Sequence, residues 1–404
     1  MITKSFRMTA VAALLCGVSA MAVAAVAAGT YEGTAQGKLS TVKAAVTLSQ
    51  DGRITDVKLD VSGETPELGG AAAKKMAPAI VEHQSTAVDG MSGATVSSEA
   101  IRKAVAAAIE KAGADPKKYD VKVAKTVGAD ETLTADIVVV GAGASGTAAA
   151  VTAAEAGAKV IVLEKGPAVG GAGKLASGLF AVESSMQKAK YKNNPELLSQ
   201  LTKDQLFKQL MDYNHYLSSA SITRRVIDES SSTVDWMNKH GAKLELIDWN
   251  PQQGQNPYPI RWRIYHRYVD NAGAFKNMYD AFGKLGGKLL LQTRAYDLTQ
   301  DKDGNVTAVI AEKADGGKLT IKTSAVILAS GGYGADQSLL PPKMKSFLFY
   351  GVDGETGDGL KMGEAIGAAT INMDLVKQYP QGVETRPHHG LACLLYTSDA
   401  ADDL

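Results

Sequence analysis

Hydrophobic and polar positions change period several times along this chain, and each change marks a boundary. After Lys4 and Arg7 an apolar run occupies 8–23 and closes on Ala25-Val26-Ala27, just before Gly29. A charged start, a short apolar centre and a small-x-small end describe a secretory signal over residues 1–28, and the alanine-rich run is marginal for a permanent membrane anchor. The mature protein is therefore expected to be periplasmic or otherwise exported. Apolar residues then alternate over 31–37, 41–48 and 53–61, the period of half-buried strands, with Gln50-Asp51-Gly52 as turn chemistry before the third. Helical period follows over 71–82 and 98–111, the second with Ser97 or Ser98 as its N-cap. Residues 29–113 thus read as a small α+β domain, and the polar, Lys- and Asp-containing stretch 114–134 as a linker.

From residue 135 the pattern becomes that of a parallel sheet. Residues 137–140 and 160–163 are uninterrupted β-branched or leucine runs, as expected of strands buried on both faces, with a small-residue helix between them. Gly141, Gly143 and Gly146 follow the first strand at the G-x-G-x-x-G spacing: the first allows a tight turn, the second lets backbone approach a pyrophosphate, and the third lets helix and strand lie close. Ala144 and Ser145 open the helix, whose N-terminal N–H groups suit phosphate. Glu164, ending the second strand beside Lys165, is placed to accept from a ribose hydroxyl. A complete βαβ unit with the acid in place predicts dinucleotide binding. Amphipathic helices are expected within 201–240, a helix over 275–285, strands over 288–298, 306–313 and 319–329, and a helix opened by Thr356-Gly357-Asp358-Gly359 and running to Ala369. Residues 249–267 are rich in Trp, Tyr, Arg and Pro, either a packed loop or a source of arginines for carboxylates.

Composition narrows the chemistry. The chain has 404 residues, 45% hydrophobic and 21% charged, enough for two or three domains with real cores and without the bias of disorder. Basic and acidic residues number 43 each, so no basic field suggests a nucleic-acid partner. Cysteine occurs only at 16 and 393, which leaves the body without disulfides, iron–sulfur ligation or C-x-x-C-H haem attachment. The six histidines lack metal-ligand spacing, and adjacent His388-His389 reads as a solvated loop, so no metal site is predicted.

Three stretches carry a family resemblance. Asp89-Gly90-Met91-Ser92-Gly93-Ala94-Thr95, running into Val96-Ser97-Ser98, resembles the flavinylation motif of FMN-binding domains in sodium-pumping quinone reductases and exported flavin reductases. The resemblance implies FMN joined by a phosphoester to Thr95 by a dedicated flavin transferase, with Ser92, Gly93 and Ala94 leaving room and Asp89 orienting the loop or a metal during transfer; a Ser/Thr-rich helix cap is the plainer alternative. Gly170-Gly171-Ala172-Gly173-Lys174-Leu175-Ala176-Ser177-Gly178 resembles the segment passing the flavin in succinate dehydrogenase and fumarate reductase flavoproteins. Ala172 stands where members with covalent FAD carry histidine, so FAD is expected to be non-covalent. Ser330-Gly331-Gly332-Tyr333-Gly334 resembles the second glycine signature of two-dinucleotide-type flavoproteins. Beside these, Gly357 and Asp358 would face the FAD phosphates or ribityl chain, with Asp358 accepting a hydroxyl, although a simple helix cap is the alternative.

Together these residues resemble exported flavin reductases of the fumarate, urocanate and acrylate type: α/β, with an α+β FMN domain followed by a Rossmann-like FAD domain over 135–378 and a capping domain from 379. In that family electrons pass from a membrane or periplasmic donor to FMN, then FAD, then as hydride to the β-carbon of an unsaturated carboxylate, with an arginine giving the proton. Tyr379 stands where fumarate-reducing members carry histidine, and urocanate reductases resemble this chain in having tyrosine there, so urocanate or another aryl-acrylate is expected before fumarate. An NADH-dependent fumarate reductase, a 3-ketosteroid dehydrogenase or an exported electron carrier are the alternatives. Residues 393–404 resemble the translation of a sequencing-library transposase adapter, so the native sequence is expected to be cut near Ala392, before the family's proton donor, and this chain to be inactive.

Overall fold

Three strands of strict alternation open the fold: β1 (Gly29–Gln36), β2 (Thr41–Leu48) and β3 (Ile54–Asp60) form an antiparallel meander. The computed structural model describes residues 26–91, 94–123, 127–196, 202–247, 264–374, 376 and 382–391. Val42, Ala44, Val46 and Leu48 of β2 all point inward, where α1 (Ala71–His83) and α2 (Thr95–Lys111) cover the sheet. The apolar stripe of α2, from Ala100 and Ile101 to Ala108 and Ile109, is fully buried.

The start of α2 departs from expectation. It begins at Thr95, with Ala94 at the cap position and no side-chain cap, so Ser97 and Ser98 lie inside the helix and are buried. Their hydroxyls have long-range work: Ser98 Oγ accepts from Met91 N–H (3.1 Å), and Ser97 Oγ donates to Glu64 (2.5 Å). Part of the expected linker forms regular structure. Pro116–Tyr119 forms a 3-10 turn whose Tyr119 carbonyl accepts from Thr86 N–H (2.6 Å) and whose hydroxyl reaches Gly52 O (2.5 Å). Tyr119 and Val123 rest on the first core, because isolated apolar residues in a polar stretch still bury when a neighbouring core is within reach.

The stretch ends in β4 (Glu131–Thr134), already a strand of the second body. There β5 (Ile137–Val140), α3 (Ala144–Glu155) and β6 (Val160–Leu163) form the expected βαβ unit. β7 (Gly178–Phe180), α4 (Ser185–Lys190), α5 (Lys203–Tyr213), α6 (Ala220–Lys239), β8 (Leu244–Leu246) and β9 (Tyr265–Tyr268) build a lateral layer in which β9 lies between β7 and β8. After α7 (Asn271–Lys284) come β10 (Lys288–Leu290), β11 (Arg294–Gln300), β12 (Val306–Glu312), β13 (Lys318–Lys322) and β14 (Ala325–Leu328).

Two sheets result. β10-β6-β5-β14 is wholly parallel, and β11-β12-β13-β4 lies beside it. The apolar runs 288–298 and 319–329, each expected as one strand, are each split between these sheets. At the first split Gln292 takes φ 50°, and the next N–H, of Thr293, turns to Glu164 O (2.9 Å). At the second, Thr323 Oγ1 donates to Asp136 O (3.0 Å). The last helix, α8 (Asp358–Ala365), ends four residues before Ala369 because Gly367 turns left-handed (φ 91°). β15 (Val383–Arg386) and β16 (His389–Leu391) form a hairpin held to the rest by a Phe349–His389 bridge. Among the described residues no helix is long and apolar enough to cross a membrane.

Candidate dinucleotide site

The carboxyl ends of β5, β6 and β14 open into a cavity of about 660 Å³. That is where parallel α/β sheets place ligands, since each strand there hands over to a loop that can reshape without disturbing the sheet. Its wall is made by the first glycine loop (Gly141, Gly143, Ala144, Ser145), the end of β6 (Glu164, Lys165), the 3-10 turn Gly171–Leu175, the start of β11, Ser330-Gly331 after β14, and the loop 352–355 leading to α8.

The three fingerprint glycines do three different things. A Cβ on Gly141 (φ 108°) would sit 2.3 Å from Ala329 O, so the turn crosses β14 at backbone distance. A Cβ on Gly146 would lie 1.9 Å from Gly141 O, which fixes how closely α3 approaches the strand. On Gly143 a Cβ would meet no atom within 4 Å. The space beside Gly143 thus lies open at the N-terminus of a 12-residue helix, whose N–H groups suit an anion.

Glu164 holds this loop from behind: one oxygen accepts from Ala142 N–H (2.9 Å) and the other from Gly166 N–H (2.6 Å), so the acid shapes the turn while lining the cavity. Gly170 continues the same brace, its N–H bonded to Ala142 O (2.8 Å) and its backbone bridged to Gly143. Gly171 and Ala172 line the cavity. Ala176, Ser177 and Gly178, expected at the flavin, are placed outside the cavity wall: Gly178 pairs with Arg267 in the lateral layer, Ser177 O accepts from Tyr268 N–H, and Ala176 is exposed. The chain leaves the cavity wall after Gly173 and runs on to β7, which pairs with β9.

Opposite the glycine loop, Gly331 lines the cavity, while Gly332 O accepts from Gly357 N–H (3.1 Å) behind it. Gly357 takes φ 70° and turns the chain into α8. Asp358, a buried residue, accepts from Lys165 Nζ (2.6 Å), Arg294 Nη2 (2.7 Å) and Thr356 Oγ1 (3.0 Å). Burial opposes its ionisation, but the hydrogen bonds from Lys165 and Arg294 prevail and hold its carboxyl below the ordinary range. Glu355 is pushed the other way by burial, with Lys165 partly offsetting. The sequence reading missed Arg294 and Glu355. Arg294 lies in the middle of the expected strand 288–298 and Glu355 stands in a polar loop, and neither has a local signal.

The stretch expected to carry FMN leads into α2. Thr95 is exposed at the first helical position and Ala94 is buried beneath it. The loop leading to them is held by Lys75 Nζ on Gly90 O (3.0 Å) and Arg102 on Val88 O (2.8 Å), with Asp89 exposed. Ser92, Gly93 and Tyr379 lie outside the described residues.

Residues 136–402, well over half of the chain, match the FAD binding domain family, and residues 37–110 match the FMN-binding domain. The chain is 36% identical over 242 residues to a vinyl phenol reductase of Lactiplantibacillus plantarum, covering 58% of this chain and 46% of that protein. It is 32% identical over 256 residues to a fumarate reductase (cytochrome) of Shewanella frigidimarina (61% and 42% covered), and 28% identical over 374 residues to a urocanate reductase of Eggerthella lenta (87% and 57% covered). The chain thus spans about half the length of the curated relatives it matches. Among solved structures, the open conformation of a flavocytochrome c3 fumarate reductase shares its fold, with a TM-score of 0.51 and 21% identity over 62% of this chain and 46% of that one.

Proposed function

The chain belongs to the FAD binding domain family, and from that membership we propose that it carries the flavins of an exported oxidoreductase that reduces a C=C bond conjugated to an acidic or aromatic group. The observation that carries the reading is the pairing, on one chain, of an exposed Thr95 opening a helix of an FMN-binding domain with a cavity that leaves open space beside Gly143. Bound flavins supply the hydride chemistry; the residues of this chain hold and orient them. Thr95 carries FMN through a phosphoester after action of a flavin transferase. The α3 N-terminus, with Lys165 and Arg294 nearby, receives the FAD diphosphate, and Ala172 leaves FAD non-covalent.

For the substrate we favour an aryl-substituted alkene such as urocanate over fumarate. Relatives named for vinyl phenol and for urocanate both act on an alkene bearing a ring. Tyr379 agrees: a phenol with a pKa near 10 offers no cationic clamp at neutral pH but stacks on a ring and hydrogen-bonds a ring nitrogen. The signal at 1–28 exports the protein to a membrane or periplasmic electron donor. Steady-state kinetics of the flavin-loaded protein expressed from its native gene, with reduced viologen as donor, test this. Urocanate, cinnamate or 4-vinylphenol should give a higher kcat/KM than fumarate, and Tyr379→Phe should narrow the difference; a fumarate preference would overturn the assignment.

A further inference from the structure

We propose that the 37–40 turn of the FMN-binding domain docks on the rim of the dinucleotide cavity through Lys38 and Asp353, and that Glu64 ties this dock to the helix that begins at Thr95. Lys38 Nζ lies 2.8 Å from Asp353 Oδ2, across 315 residues of sequence. Asp353 stands between Val352 and Gly354, both in the cavity wall, and its side chain is only 14% exposed. The Lys38 turn is closed by Gly37 N–H on Ser40 O (2.8 Å) and is held from beneath by one carboxylate. Glu64 accepts from Leu39 N–H (2.9 Å), Ser40 N–H (2.9 Å), Ser40 Oγ (3.1 Å) and Ser97 Oγ (2.5 Å). A Cβ on Gly69 would come within 2.4 Å of Glu64 Cβ, so the acid has a fitted seat. Burial opposes its ionisation, yet the hydrogen bonds from Ser97, Leu39 and Ser40 outweigh that and keep it charged. Ser97 is two residues past Thr95 on α2.

Direct contacts therefore run from the cavity rim through Asp353, Lys38 and Glu64 to the foot of the helix carrying Thr95. A partly exposed ion pair adds little to stability, which suits a reversible contact between two domains. The transfer it serves balances within the chain: two electrons and two protons leave reduced FMN as FAD takes them up, and no further reactant is needed. That electron-transfer role rests on the function proposed above; the dock itself does not.

The test is zero-length carbodiimide coupling of the purified full chain, mapped by mass spectrometry. A Lys38–Asp353 amide should form about as readily as the Lys361–Asp336 amide, an internal control with a 2.7 Å contact. It should fall at least threefold in Glu64→Gln, with Lys361–Asp336 and the Lys43–Asp60 amide inside the first domain both unchanged; unfolding of the first domain would lower Lys43–Asp60 as well. Control coupling without a Lys38–Asp353 product would overturn the dock. In flavin-loaded protein, Lys38→Glu should slow FMN-to-FAD transfer at least tenfold in stopped flow with both flavins retained, and Lys38→Glu/Asp353→Lys should restore it. An unchanged rate would overturn the coupling role. Coupling in a protein whose Thr95 bears no FMN even after co-expression with a flavin transferase would leave the dock standing and sink the flavin reading instead.

Discussion

Lys165 Nζ lies 2.6 Å from Asp358 Oδ2, although 193 residues separate them in sequence. Arg294 holds the other oxygen at 2.7 Å, so one carboxylate fastens the end of β6, the start of β11 and the start of α8 around a single cavity. The arrangement keeps two cations in the wall of the cavity that the start of α3 also lines, oriented by an anion that can share them.

Asp358→Asn should therefore cost the flavin-free protein about 1–3 kcal/mol at pH 7, since it leaves the partly buried Lys165 poorly compensated and takes the anion from the more exposed Arg294. The sign with pH follows from the lowered carboxyl. A depressed folded value gives stability that is present above the ordinary carboxylate range, near 3.8, and lost as pH falls through the folded value. Urea unfolding of wild type should weaken below about pH 4, and the variant should show a flatter acid limb. Parallel curves would remove Asp358 from this role.

Gly143 and Gly146 separate binding from folding. Gly143 has φ −76°, which alanine adopts freely, and its Cβ would meet only open space. Gly143→Ala should keep or raise stability by about 0–1 kcal/mol, yet weaken FAD at least about tenfold by placing a methyl where the diphosphate lies. Gly146→Ala drives a methyl into Gly141 O and should cost about 3 kcal/mol or more. Melting curves and FAD titration distinguish the two. Equal FAD affinity in Gly143→Ala and wild type would move the diphosphate elsewhere.

Much of this was legible in the sequence because it is local. The βαβ unit, the three glycines and the meander follow from period and turn chemistry over windows of about ten residues. What was not legible depends on distant partners. Three polar residues, Gln292-Thr293-Arg294 and Lys322-Thr323-Ser324, interrupt 288–298 and 319–329, but a short polar stretch also fits within one strand, so the passage from one sheet to another shows only in the hydrogen bonds of Thr293 N–H to Glu164 O and of Thr323 Oγ1 to Asp136 O. Ser97 and Ser98 have the composition of a cap but are buried inside α2, because Glu64 and Met91 meet them there. Lys38, Arg294 and Glu355 carry no local pattern at all, and acquire meaning only from what faces them.

Thr95 is exposed and provides no side-chain cap hydrogen bond to α2, so its hydroxyl is dispensable for the fold. Thr95→Ala, co-expressed with a flavin transferase, should lose in-gel flavin fluorescence under denaturing conditions while melting within about 1 kcal/mol of wild type. Thr95→Ser should keep part of the label. Fluorescence persisting in the alanine variant would relocate the attachment.

Glu355 supplies the opposite sign to Asp358. Its carboxyl lines the cavity, near Gly331 and Gly332, and burial raises it above the ordinary value of 4.5, with Lys165 only partly offsetting. A raised folded value for an acid gives stability that is complete below the unfolded value and is lost as pH rises through the folded one. The flavin-free protein should therefore lose stability as pH climbs above about 5, and Glu355→Gln should remove that loss. The same charge faces incoming FAD, whose diphosphate is anionic, so Glu355→Gln should also tighten FAD, by about three- to tenfold at pH 8 and less at pH 5, where wild-type Glu355 is more often neutral. Because a purely steric effect of the substitution would be the same at both values, the ratio of FAD affinities at pH 5 and pH 8 is the decisive measurement. If wild type and variant gave the same ratio, the charge on Glu355 would have no part in flavin binding.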